Sequence, residues 1–151
     1  MKSIKILQDD NGANNSNKGI EIAVAESLKN RNVVFVFNGY LTESFHKFNM
    51  TLKKHGINNY MSSNLTIIFD KLVVYEHKPL RSWIDRNIQA PVDLLIIDTL
   101  NIATKKYRTA TKLDPCIKNL SFLSNTLDCD LLLLMTGNIP LIEDTFSNYN
   151  Q

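Results

Sequence analysis

The sequence predicts an α/β fold, a single three-layer domain built on a mainly parallel five-stranded sheet. Apolar segments of strand length alternate with helical patterns along the whole chain, as in a parallel sheet with helices on both faces. The segments Val33–Phe37 and Leu94–Ile97 are apolar at every position, which is typical of strands buried on both faces. The chain has 151 residues, of which 44% are hydrophobic, and this size and composition suit one domain.

Each predicted strand is a short apolar run that a polar or turn-forming residue closes. Asn38-Gly39 ends the second strand, Asp98 the fourth and Gly137 the last. Two short apolar runs, separated by Asp70-Lys71, could each form the third strand, and the sequence does not decide between them. In chain order, the predicted strands are 3–7, 33–37, either 65–69 or 72–75, 93–98 and 131–135.

Four helices are predicted from apolar residues at helical spacing between the strands. A polar loop, 8–17, precedes the first of them. Thr42 can cap the second helix, and Gly56 stands where a C-terminal cap glycine belongs. Pro79 and Pro115 open the third and fourth helices, because proline fits the first turn of a helix. In chain order, the predicted helices are 20–28, 42–55, 79 to the stop at Ala90-Pro91, and 115–127.

Composition excludes several classes of function. The net charge is +2, from 17 basic and 15 acidic residues, which is too small to predict a nucleic-acid or membrane partner by itself. Cys116 and Cys129 have no CxxC partner, which predicts two reduced thiols. His46, His55 and His77 show no ligand spacing, so we expect no metal site.

Targeting and membrane signals are absent from the sequence pattern. The longest apolar run, Leu131–Met135, falls far short of the roughly 20 residues that a membrane span needs. The N-terminal apolar run is too short and too quickly charged for a signal peptide. We therefore expect a cytoplasmic protein.

The segment after the first strand carries part of a phosphate-binding loop, whose pattern is G-x-x-x-x-G-K-[ST]. Gly12 and Lys18 stand at the required spacing. Asn17 replaces the second glycine, whose freedom lets the backbone wrap around phosphate. Gly19 replaces the hydroxyl residue that holds Mg²⁺. An Asn-rich surface loop with a lysine at the start of a helix is the alternative interpretation.

Asp98 follows four apolar residues, as the Mg²⁺-binding acid of a Walker B strand does. It lies 80 residues after Lys18 and one predicted strand before the last, as a P-loop core requires. An aspartate that ends a strand and caps a turn is the alternative. Gly12, Lys18 and Asp98 are therefore the candidate cofactor-binding residues, for residual binding of ATP or GTP.

The order and spacing of these motifs resemble the RecA-like P-loop core of hexameric replicative helicases of the DnaB type, over residues 3 to about 138. Phe37–Thr42 stands where that family has F-S-L-E-M-S, and Ile97–Ile102 where it has a Walker B region like I-D-Y-L-Q-L-I. Ile117–Leu120 begins the helix that the family writes as L-K-x-L-A-K-E-L, and Leu134–Gly137 matches a strand ending L-S-Q. The resemblance implies RecA-like P-loop topology.

The departures from that family fall on its catalytic positions. Tyr40 aligns with the glutamate that activates water, and a phenol with a pKa of about 10 cannot act as that base at neutral pH. Glu43 lies nearby, but an acid in the first turn of a helix is favoured by the helix dipole alone. Gly137 aligns with the glutamine that senses the γ-phosphate, and Gly19 lacks the hydroxyl. The resemblance thus implies a degenerate ATPase with no catalytic residue and no required cofactor.

A basic segment follows the Walker B strand. RecA-like proteins use loops in this region to contact single-stranded DNA, and cations together with one aromatic ring suit that role. A solvated loop is the alternative. The candidate nucleic-acid residues are Lys105, Lys106, Tyr107, Arg108 and Lys112.

These observations predict a non-catalytic RecA-like module, a pseudo-ATPase that acts through protein–protein contacts as a regulator or scaffold of a larger assembly. Its expected partner is a second copy of itself or a related active ATPase. A nucleotide-binding switch without turnover and an accessory protein that binds single-stranded DNA are the alternatives.

Overall fold

The computed structural model describes residues 2–9, 12–38, 41–57, 64–74, 76–98 and 110–136. Strands and helices alternate along these residues. The strands are β1 (Ile4–Asp9), β2 (Val33–Phe37), β3 (Leu65–Ile68), β4 (Leu94–Asp98) and β5 (Asp130–Thr136). The helices are α1 (Gly12–Ser27), α2 (Leu41–Lys54), α3 (His77–Asn87) and α4 (Ala110–Leu127).

The five strands form one sheet in the order β1-β5-β4-β2-β3, and every pair is parallel. The predicted fold class is therefore confirmed. The register aligns Leu7, Leu134, Asp98 and Phe37 in one row across β1, β5, β4 and β2. This row lies near the carboxyl ends of the strands, where ligands bind in open α/β sheets.

Helices cover both faces of the sheet, which explains why the central strands are apolar at successive positions. On one face, α1 and α2 pack on alternate strand residues through side chains such as Ile20 and Phe48. On the other face, α3 and α4 pack through Leu80, Trp83 and Leu120. Trp83 is 1% exposed, and its indole N–H donates to the carbonyl of Asp70 at 2.8 Å.

Several predicted boundaries differ from the structure. Helix α1 begins at Gly12, so the predicted loop 8–17 is largely strand and helix. Helix α4 begins at Ala110 with Pro115 inside it, which removes one backbone hydrogen bond but does not end the helix. Thr42 lies within α2 and not before it.

Other boundaries follow the sequence closely. Gly56 has a φ of +76° directly after α2, the left-handed conformation that a C-terminal cap glycine supplies. Of the two runs that competed for the third strand, the first forms β3, and residues 72–74 lie outside the strands. The Asn38 carboxamide holds that second run by pairing with both backbone groups of Leu72.

The amino end of the sheet is held by a polar network around Asp130. One carboxylate oxygen accepts hydrogen bonds from the Ser3 N–H and hydroxyl at 2.9 and 3.1 Å. The other pairs with Arg31 at 3.0 Å, which also binds Glu26 at 2.9 Å. Burial alone would raise the pKa of Asp130, but the hydrogen bonds from Ser3 and Arg31 outweigh it and lower that pKa.

We expect Asp130→Asn to lower the free energy of unfolding at pH 7 by about 1–2 kcal/mol, because the charged hydrogen bonds are lost. A carboxyl whose folded-state pKa is lowered stabilises the protein above its unfolded pKa of about 3.9 and loses that contribution on acidification. The difference between wild type and Asp130→Asn should therefore shrink below about pH 4. Urea unfolding between pH 7 and pH 3 measures it. Asp128→Asn, which removes an exposed neighbouring carboxylate, is the matched control.

Candidate functional site

The first turns of α1 lie over the carboxyl ends of β1, β5 and β4. Helix α1 starts at Gly12, three residues after the end of β1 at Asp9. Asp98 is the last residue of β4 and pairs in register with Leu134 of β5. The sequence-predicted neighbours, the segment after the first strand and the acid at position 98, therefore meet at one edge of the sheet.

Asp98 is fastened to α1 by a direct side-chain hydrogen bond. The Ser16 hydroxyl donates to Oδ1 of Asp98 at 3.1 Å. Asp98 is only 3% exposed, and its carbonyl accepts a hydrogen bond from the Asn38 N–H. The Ser16 hydroxyl thereby occupies one of the acceptor positions of this carboxylate.

Asn15 joins α1 to two strands at once. Its side-chain N–H₂ donates to the carbonyl of Leu7 at 2.9 Å and to the carbonyl of Met135 at 2.8 Å. The side chain is 1% exposed, and its Oδ1 meets no donor among the described residues. Because side chains on a helix lean towards its N-terminus, the fourth residue of α1 can reach strand carbonyls that lie beneath the start of the helix.

Gly19 lies where α1 packs closely on β5. A Cβ atom added to Gly19 would come within 2.3 Å of Cδ1 of Leu134, a buried side chain of the row described above. This position is the one that holds the Mg²⁺-binding hydroxyl in the phosphate-loop motif. Here it faces the sheet, so a hydroxyl residue would meet Leu134 and not a metal.

The segment Gly12–Gly19 is helical from its first residue. In the phosphate-loop motif, backbone N–H groups of a loop point at the phosphates before the helix begins. In an α-helix, each N–H bonds to the carbonyl four residues earlier, so those from Ser16 onward are used within α1. Lys18 is exposed on this helix and engages in an interaction of its own.

The structure brings Gly12, Lys18 and Asp98 to the same edge, but it does not describe every predicted site residue. The basic residues Lys105, Lys106, Tyr107 and Arg108 lie outside the described residues. Lys112 belongs to α4, but its side chain is not among those described. Tyr40 and Gly137 also lie outside them, whereas Glu43 stands in the first turn of α2, as expected.

Metal and thiol chemistry find no support among the described side chains. Within these residues, no group of three His, Cys, Asp or Glu side chains could hold a metal ion. Cys116 and Cys129 are free and buried, and burial raises their pKa values to about 11 and about 12. Both thiols therefore stay protonated and unreactive at neutral pH.

The three histidines, His46, His55 and His77, are exposed, as the sequence predicted. Within the described part of the chain, no helix combines the length and hydropathy that crossing a membrane requires.

Sequence reasoning missed Asn15 and Ser16. Its phosphate-loop interpretation treated both as variable loop positions, although they make the contacts that fasten α1 to the sheet. One signal was available: Asn15, Gly19 and Ala23 follow at intervals of four, which is one face of a helix. Extending the predicted helix backwards along this face would have placed Asn15 over the strand ends.

With this strand order and this all-parallel sheet, the chain has the fold of a RecA-like core, similar to that of DnaB-type helicases. The structure of a RadB recombinase matches 88% of this chain with a TM-score of 0.56 and 11% identity. The structure of a DnaB-like replicative helicase, described with its interactions with primase, matches 89% with a TM-score of 0.53 and 15% identity. This chain spans 60% of that recombinase chain and 38% of that helicase chain. No protein-family model matches the sequence, and no curated protein does.

Proposed function

We propose that this chain is a non-catalytic RecA-like module that acts through protein–protein contacts as a regulator or scaffold of a larger assembly. The observation that carries this proposal is the use of Asn15, Ser16 and Gly19 to fasten α1 onto the sheet. These positions belong to the segment that wraps phosphate in an active P-loop protein. In this chain, the same segment packs α1 against the sheet.

The loss of catalytic groups supports the same proposal. A positioned general base contributes about 10²–10⁴ in rate, and the sequence has Tyr40 where the DnaB-type family has its glutamate. Gly19 supplies no hydroxyl for Mg²⁺, and Asp98 already accepts a hydrogen bond from Ser16. Each change alone would slow hydrolysis, and together they remove the base and the hydroxyl with which the DnaB-type family activates water and organises the metal.

The proposed partners are proteins. The RecA-like fold has a well-packed core on both faces of its sheet, so it can present a rigid surface to another protein. One similar structure is of a replicative helicase described together with its interactions with primase, which is a precedent for contacts between a RecA-like protein and another protein. For this chain, we propose a second copy or a related active ATPase as the partner.

We expect the pure protein to show no ATP turnover above the background and no heat of binding for ATP, ADP or GTP at high micromolar concentration with Mg²⁺. Calorimetry and a phosphate-release assay measure both. Asp98→Ala is the control, because a trace of turnover from a contaminating enzyme would survive this substitution. Turnover that Asp98→Ala abolishes would overturn the proposal.

Binding without turnover would instead favour the second candidate, a nucleotide-binding switch. Lys18 and Asp98 favour it to the extent that both lie at the edge where ligands bind in such sheets. In that case, the heat of binding should disappear in Lys18→Ala, while the phosphate-release assay stays at background.

A further inference from the structure

We draw no further inference here: the strongest candidate, the open groove between the amino ends of β2 and β3 and the connection from α3 to β4, is lined by uncharged residues such as Val34, Thr66 and Val92, and nothing in the structure shows what covers it.

Discussion

Restoring the hydroxyl residue of the phosphate-loop motif should damage this protein and not reactivate it. We expect Gly19→Thr to lower the free energy of unfolding by about 3 kcal/mol, and Gly19→Ala by about 1–2 kcal/mol, the range of overpacked cores. The reason is the 2.3 Å separation between an added Cβ and Cδ1 of Leu134. Leu134 is fully buried, so it has little room in which to move away.

The sign of the change in unfolding free energy caused by Gly19→Ala distinguishes close packing from helix propensity. Within a helix, replacing glycine by alanine ordinarily stabilises a protein by about 0.5–1 kcal/mol. Ala25→Gly, at an exposed position of the same helix, measures this ordinary helix preference. If the propensity of α1 governed position 19 as well, Gly19→Ala would raise the unfolding free energy. A loss at position 19 therefore reports close packing between α1 and β5.

Urea unfolding of single and double variants measures the coupling. Leu134→Ala alone should cost about 2–5 kcal/mol, as a buried leucine truncated to alanine does. In that background, Gly19→Ala should become neutral or stabilising, because the cavity accepts the added methyl group. Gly19→Ala as stable as the wild type, with no coupling to Leu134, would show that α1 does not pack on β5 as described.

The sheet was predictable from the sequence because its strands are defined locally. Val33–Phe37 is apolar at every position, and the observed β2 has the same bounds. The acid that ends β4 was also placed correctly, since parallel strands bring their carboxyl ends to one edge. Residues 12–19 were not predictable in this way. Their residue types are compatible with both a loop and a helix, and contacts with strands distant in sequence decide between the two.

Asn15 shows why the helix over residues 12–19 could not be predicted from local sequence patterns. Its hydrogen bond to Met135 joins residues that are 120 positions apart, and no local pattern reports such a partner. Asparagine is a weak helix former because it competes for backbone hydrogen bonds, so local reasoning favours a loop at this position. In the fold, the same hydrogen-bonding capacity is directed at the strand carbonyls, and it stabilises the helix that propensity disfavours.

The most damaging single-atom change that we expect is Asn15→Asp, which alters the shape of the side chain very little. The N–H₂ group that donates to Leu7 and Met135 becomes a carboxylate oxygen facing two carbonyl oxygens in a site that is 1% exposed. A buried charge without a partner costs about 3–5 kcal/mol. Asn15→Ala removes the donors without adding charge and should cost about 2–3 kcal/mol.

The pH dependence of the unfolding free energy distinguishes Asn15→Asp from Asn15→Ala. Burial and the facing carbonyl oxygens raise the folded-state pKa of the introduced carboxyl above its unfolded value of about 3.9. The native state then binds more protons than the unfolded state, so the stability of Asn15→Asp relative to wild type rises as the pH falls through that folded-state pKa. Asn15→Ala carries no titrating group there, and its deficit should stay constant with pH.

The unfolding free energy of the wild type should fall on acidification. Asp70, whose pKa is lowered by hydrogen bonds from Asn87 and Arg86, loses its contribution to stability on acidification, as Asp130 does. Between pH 7 and pH 3, the unfolding free energies of wild type and Asn15→Ala should therefore run parallel, and that of Asn15→Asp should have a different slope. A deficit of Asn15→Asp that is equal to that of Asn15→Ala at every pH would mean that position 15 faces water, and that α1 does not cover the carboxyl ends of β1 and β5.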